Sequence, residues 1–231
     1  MLCAGIMTGS CAAFALPAEL PAFAAETESG TCGDDLTWTL DDNGTLTISG
    51  TGNMYEYMIP PWDNESVTSV VIYGGVKNIG ESAFLNCNKL TEITIPDSVT
   101  DIGSGAFSNC TGLTEITIPN RVTMLREWTF SECIGLTKIT IPDSVTNIGD
   151  NAFERCTSLT EITIPDSVVS IGSCAFVRCT SLREITIPDS VARIEGDTFM
   201  GCTSLTGITI PDSVSSIGDF AFSECTGLTE I

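Results

Sequence analysis

The sequence predicts a repeat solenoid, a rod of stacked chain coils in which each coil contacts only its neighbours. One proline recurs every 23 residues without insertion: Pro96, Pro119, Pro142, Pro165, Pro188 and Pro211. The phrase I-T-I-P-D-S surrounds most of these prolines and first occurs at residues 93–98. Self-similarity at a fixed period of this length is typical of solenoids rather than of domains with one central core.

Each repeat begins with a short predicted strand. Ile93 and Ile95 alternate with Glu92 and Thr94, and a period of two indicates a strand with one buried face. Pro96 ends the strand because proline has no N–H to donate to the neighbouring strand. Stacked coils are therefore expected to place these short parallel strands side by side.

The second half of each repeat turns the chain back. Val99 and Ile102 are the next inward residues, and a short helical or 3-10 turn carrying a buried Phe and Cys is expected after them. Polar residues are placed to cap that turn in several copies: Ser104, Asp150, Ser173 and Asp219. Residues 67–231 hold about seven units, and the array is expected to continue beyond Ile231, where a further copy is cut short.

Two segments precede the repeats. Residues 1–25 are small and apolar, which predicts a secretory signal peptide, with an apolar helix of the mature fold as the alternative. In the segment 26–66, apolar and polar residues alternate from Trp38 to Ile48 around an Asp-Asp-Asn-Gly sequence at 41–44. This pattern predicts a β-hairpin, which we interpret as an N-terminal cap over the first coil.

Charge and composition exclude several classes of function. The chain has 9 basic and 30 acidic residues and a net charge of -21, so nucleic acid and anionic membranes would repel it. It has no histidine, which removes Ser-His-Asp and Cys-His catalysis and His-containing zinc sites. Equivalent exposed carboxylates in every repeat do not make the unique pair that a glycosidase needs. The sequence therefore predicts no enzyme, no catalytic residue, no cofactor and no metal site.

Seven cysteines also recur at the repeat interval: Cys87, Cys110, Cys133, Cys156, Cys179, Cys202 and Cys225. Zinc sites use more closely spaced pairs, and side chains on adjacent strands point the same way about 4.8 Å apart, which suits a disulfide poorly. We interpret the column as small buried side chains. Cys174 lies outside the column and is expected to be the accessible thiol.

The strand phrase L-x-x-I-x-I and the full unit L-T-x-I-T-I-P-D-S-V-x-x-I-G-x-x-A-F-x-x-C-T-x resemble the BspA-like leucine-rich repeats of bacterial surface proteins. The resemblance covers residues 67–231, and the segment GTCGDDLTWTLDDNGTLTISGTGNM is similar to the region that precedes such repeats in secreted bacterial proteins. It implies a right-handed leucine-rich repeat superhelix that is secreted or displayed at the cell surface. It also implies adhesion to host matrix proteins, mucus glycoproteins or other bacteria through the concave strand face. A passive stalk or spacer that presents another domain of a larger surface protein is the alternative.

Stacking turns the outward strand positions into stripes, and these form the candidate ligand-binding face: Glu92, Thr94, Glu115, Thr117, Lys138, Thr140, Glu161, Thr163, Glu184, Thr186 and Thr209. A solvated face without a ligand is the alternative. The aspartates after the prolines are interpreted as turn residues whose side chains accept a backbone N–H two residues on. One copy, IPNRVTMLREWTF, carries Arg121, Arg126 and Trp128, which are either a contact spot, since Trp and Arg often anchor interfaces, or the result of drift in one repeat.

Overall fold

The chain begins with an antiparallel sheet that continues into the solenoid. The computed structural model describes residues 27–229, so the predicted signal segment 1–25 lies outside the described residues. The first strands are β1 (Glu28–Gly33), β2 (Leu36–Leu40), β3 (Thr45–Gly50) and β4 (Gly52–Asn53). Strand β2 pairs antiparallel with both β1 and β3, and Trp38 lies opposite Ile48.

A tight turn joins β2 to β3. The carboxylate of Asp41 accepts the backbone N–H groups of Asn43 and Thr45, both at 2.9 Å, and Gly44 adopts a φ of +81° that favours glycine. Strand β3 then pairs in parallel with β5 (Ser69–Ile72), so one sheet runs from the hairpin into the first coil. The role of this segment as a cap stays a prediction.

The repeats form a β-solenoid of about eight turns, as the 23-residue period predicted. We number seven coils in steps of 23 residues, from coil 1 (67–89) to coil 7 (205–227). The first strand column contains β5, β7 (Glu92–Thr94), β9 (Glu115–Thr117), β11 (Lys138–Thr140), β14 (Glu184–Thr186) and β16 (Gly207–Thr209). The second contains β6 (Val76–Ile79), β8 (Asp101–Ile102), β10 (Met124–Leu125), β12 (Asn147–Ile148), β13 (Ser170–Ile171), β15 (Arg193–Ile194) and β17 (Ser216–Ile217). Pairing between the coils is parallel and places equivalent positions opposite one another.

The third side of each coil is a corner of hydrogen-bonded turns, where the sequence predicted a short helical turn. Within the corner, the backbone N–H of every second residue donates to the next coil, as the N–H of Phe84 does to the carbonyl oxygen of Ala106 at 2.8 Å. Ser82 and Asn86 have φ of 54° and 62°, and left-handed residues at this spacing stop a right-handed helix from forming. Within residues 27–229, the structure contains no helix that is long and apolar enough to span a membrane.

Columns of identical side chains fill the core. Phenylalanine rings stack from Phe84 to Phe222 with centroids 5.3 to 5.6 Å apart. Beside them, the six column thiols from Cys110 to Cys225 each donate a hydrogen bond to a phenylalanine carbonyl of the preceding coil, as Cys110 Sγ does to Phe84 O at 3.1 Å. The nine described cysteines are free, and burial raises the pKa of Cys87 to about 12. The column therefore consists of thiols that are buried, except for half-buried Cys225, and that from Cys110 onward also donate hydrogen bonds.

Candidate functional site

The outward positions of the first strand column lie on one exposed surface, which we call the strand face. Every predicted position is exposed there: Glu92, Thr94, Glu115, Thr117, Lys138, Thr140, Glu161, Thr163, Glu184, Thr186 and Thr209. Glu115 lies opposite Lys138, and Thr117 lies opposite Thr140. The structure thus brings the predicted side chains onto a single polar surface.

The aspartates beside the strand face do not act as expected. The turn after each proline is closed by the backbone, as between Val99 N–H and Pro96 O at 3.0 Å. The interpretation of the aspartates as side-chain acceptors in this turn is wrong, because the hydrogen bonds among residues 27–229 include none to these carboxylates: Asp97, Asp143, Asp166, Asp189 and Asp212. These five aspartates are exposed and add negative charge to the surface beside the strand face. No group of three Cys, Asp or Glu side chains in the described chain is arranged to hold a metal ion.

The three unusual side chains of coil 3 lie on successive segments of that coil. Arg121 occupies the turn after β9, and Arg126 follows β10, where its guanidinium pairs with Asp101 through bonds of 3.0 and 3.3 Å. Trp128 lies at the corner with a φ of 53° and remains 47% exposed. Their role as a contact spot stays a prediction.

A column of glycines allows successive coils to approach closely after the second strand: Gly80, Gly103, Gly149, Gly172 and Gly218. A Cβ on Gly149 would lie 2.7 Å from Arg126 C and from Glu127 N, and the Gly149 N–H donates to Leu125 O at 2.8 Å. Arg126 and Glu195 take the glycine position in coils 3 and 6. In those two coils the second column is interrupted, since β10 does not pair with β8, nor β15 with β13.

A serine column makes a second contact between coils. Ser144 Oγ donates to Val122 O at 2.6 Å, and Ser167 Oγ donates to Val145 O at 2.7 Å. Coil 3 has Arg121 at this position, so it lacks both the serine and the glycine contact with coil 2. The sequence identified the arginines as a departure from the repeat, but not the contacts between coils that the serine and the glycine make at these positions.

The interface between coils 2 and 3 is open on both strand columns. Strand β7 does not pair with β9, and β8 does not pair with β10. Between coils 5 and 6 the strand pairing is reduced to a single bridge between Glu161 and Glu184. The strand face also opens between coils 4 and 5, which no side chain in the structure explains. At the corner, coils 2 and 3 stay joined, with Phe107 N–H donating to Thr129 O at 2.9 Å. The two coils therefore separate towards the strand face.

A groove of about 670 Å³ lies here between the strand segments 91–97 and 114–120. A second groove, of about 630 Å³, lies over coils 6 and 7, where strands β14 and β16 remain paired. Ile93 and Ile95 line it and are only half-buried, whereas Ile116 in the next coil is 5% exposed. Coils 2 and 3 combine a groove with two unpaired strand columns, and this coil 2–coil 3 groove is the candidate site.

Similar folds occur in solved structures of bacterial proteins. The T. pallidum leucine rich repeat protein TpLRR is 28% identical over 92% of this chain and 91% of its own, with a TM-score of 0.70. A leucine rich cell surface protein from Faecalibacterium prausnitzii A2-165 is also 28% identical, over 87% of this chain and 75% of its own, with a TM-score of 0.52. No curated protein sequence matches the chain.

A family description matches the repeats directly. The BspA type Leucine rich repeat region matches residues 62–171 and 146–231, in six copies. The two matched segments together span all seven coils and both arginines of coil 3. They also agree with the stacked parallel strands and the phenylalanine column of the structure. The chain therefore belongs to the BspA-type leucine-rich repeat family.

Proposed function

We propose that the chain is part of a secreted or cell-surface protein that binds protein or glycan partners through the strand face. The partners would be host matrix proteins, mucus glycoproteins or the surfaces of other bacteria. The observation that supports this proposal is the continuous array of exposed glutamate and threonine side chains on one face. One similar solved structure is described as a cell surface protein.

The chemistry of the strand face suits an extended polar partner. Threonine hydroxyls donate and accept hydrogen bonds, and glutamate carboxylates accept them. Stacking repeats these groups at about 4.8 Å, the separation of neighbouring strands. A partner that spans several coils thus adds many modest contacts, which is how solenoids commonly present extended binding surfaces.

A charge-reversal experiment tests the strand face. The variant E161K/E184K places lysines on the face in coils 5 and 6, and the control E127K/E224K makes the same change in net charge at two exposed glutamates off the face. Capture by immobilised mucin, collagen and fibronectin is measured for both variants and the wild type. We expect capture by at least one of these surfaces to be lost in E161K/E184K and kept in the control. Equal capture of both variants would rule out the strand face as the binding surface.

The spacer function is favoured by a separate observation, the continuity of the corner. Three backbone hydrogen bonds join each pair of neighbouring coils there, as from Asn151, Phe153 and Arg155 to coil 5, and the phenylalanine stack runs through all seven coils. Continuous contacts of this kind favour a rigid spacer. For a spacer, the wild type is expected to bind none of the immobilised surfaces.

A further inference from the structure

We propose that the coil 2–coil 3 groove is a binding slot for an extended peptide that carries lysine or arginine at alternate positions. This inference rests on the proposed function, because it names the partner of one segment of the strand face. The groove differs from most of that face in its strand pairing and in its half-buried isoleucines, and its lining is acidic.

The groove contains strand edges that lack their usual partner. Between coils 3 and 4, Thr137 N–H donates to Thr114 O at 2.9 Å, and the equivalent bond recurs at most coil interfaces. The corresponding bond from Thr114 N–H to Thr91 O is missing between coils 2 and 3. Cα atoms of β7 and β9 still lie within 8 Å of one another, whereas a strand inserted between them would need about 9.6 Å. A peptide would therefore lie along the strand face over the groove. The groove follows the strand segments 91–97 and 114–120, and this shape favours an extended peptide.

The charge of the groove selects a basic peptide. Glu92, Asp97 and Glu115 line it, and none of the described residues that line it is a lysine or an arginine. Lys138 lies opposite Glu115 in the register but outside the groove lining. Since the whole chain has a net charge of -21, it attracts a cationic segment from a distance and repels an acidic one.

The floor of the groove explains why the cations would alternate with smaller residues. Ile93 and Ile95 are half-buried there, although their counterparts in coils 3 to 6 are buried. Successive side chains of an extended peptide point to opposite sides. One set of its side chains would contact the isoleucines, while the other set would reach the carboxylates at the rim.

The test compares variants that close the groove with variants that leave it open. The probe is a fluorescein-labelled (Lys-Thr)5 peptide, with (Glu-Thr)5 as the acidic control, and binding is followed by fluorescence anisotropy at low salt. The variant R121S/R126G restores the serine and glycine contacts of the other coils and closes the groove. The matched control E195G repairs the interruption between β13 and β15, away from the groove.

We expect R121S/R126G to bind the basic peptide about tenfold more weakly than the wild type, with E195G unchanged. Attraction by net charge alone predicts the opposite result, because R121S/R126G loses two positive charges and would bind a basic peptide more tightly than the wild type. Wild-type or tighter binding by R121S/R126G would overturn the slot, and so would equal binding of the two peptides by the wild type. If R121S/R126G does not fold, E92Q/E115Q replaces it, and undiminished binding by that variant would overturn the slot. The E161K/E184K experiment concerns coils 5 and 6, so the strand-face function is judged separately.

Discussion

Replacing Gly149 by alanine is expected to open the interface between coils 3 and 4. The added Cβ would lie 2.7 Å from Arg126 C and from Glu127 N, and these backbone atoms cannot rotate aside. Coil 4 has to move away, and the Gly149 N–H then loses its 2.8 Å bond to Leu125 O. The native chain shows the same outcome where Arg126 and Glu195 replace the glycine and strand pairing is interrupted.

The expected loss of stability follows from two contributions. The broken backbone hydrogen bond contributes about 1 kcal/mol, and the steric conflict in a closely packed interface contributes about 1–3 kcal/mol. Gly149 does not have a φ in the left-handed region, so alanine adds no backbone strain of its own. The free energy of unfolding should therefore fall by about 2–4 kcal/mol.

Gly207 provides the matched control. It also has no positive φ, and a Cβ built on it meets no atom within 4 Å, so the unfolding free energy of G207A should stay within about 1 kcal/mol of the wild type. Urea unfolding followed by circular dichroism measures both variants. If G149A and G207A unfold at the same urea concentration, the glycine column does not control coil spacing, and the explanation of the groove through Arg126 is refuted as well.

Three further predictions concern the thiols. C156A should lose about 1–3 kcal/mol of stability in urea unfolding, because Phe130 O loses its donor at 3.2 Å, whereas C156S keeps a donor and should lose less. Stability should fall above pH 9, since burial raises the pKa of the Cys133 and Cys202 thiols from 9.0 to about 12. A raised pKa favours the protonated thiol in the folded state, so this contribution is complete below pH 9 and is lost by about 1.4 kcal/mol per thiol per pH unit towards pH 12; a flat urea midpoint across that window would contradict it. Maleimide labelling read by mass spectrometry should modify half-buried Cys174 before the fully buried Cys156, and the opposite order would contradict the burial.

The regular part of the fold follows from periodicity, because stacking converts a residue at a fixed interval into a column. Ile116 and Ile118 were predicted to point inward, and they are 5% and 2% exposed. The corner was harder to predict. Its left-handed positions carry different residue types in different coils, including Ser82, Trp128 and Phe220, so no common letter in the repeat indicates that a turn replaces the helix.

The candidate site required knowledge of distances across the coil interface. In the sequence, Arg126 is one polar residue among many at the surface. Only the structure shows that its counterpart Gly103 would carry a Cβ 2.4 Å from Glu81 N, so that no side chain fits at regular spacing. Two changes thus explain the opening between coils 2 and 3. The side chain of Arg126 does not fit at regular coil spacing, and position 121 lacks the serine that bonds to the preceding coil elsewhere.

A solenoid tolerates such an opening because its stability is close to a sum of nearest-neighbour interfaces. Coils 2 and 3 lose both strand columns but keep the corner hydrogen bonds, the stacking of Phe107 on Phe130 at 5.4 Å and the bond from Cys133 Sγ to Phe107 O at 3.0 Å. The loss of stability is therefore confined to one interface and does not spread along the rod. In this architecture we expect a ligand site where a repeat departs from its neighbours on the strand face while keeping their contacts at the corner, and coil 3 meets both conditions.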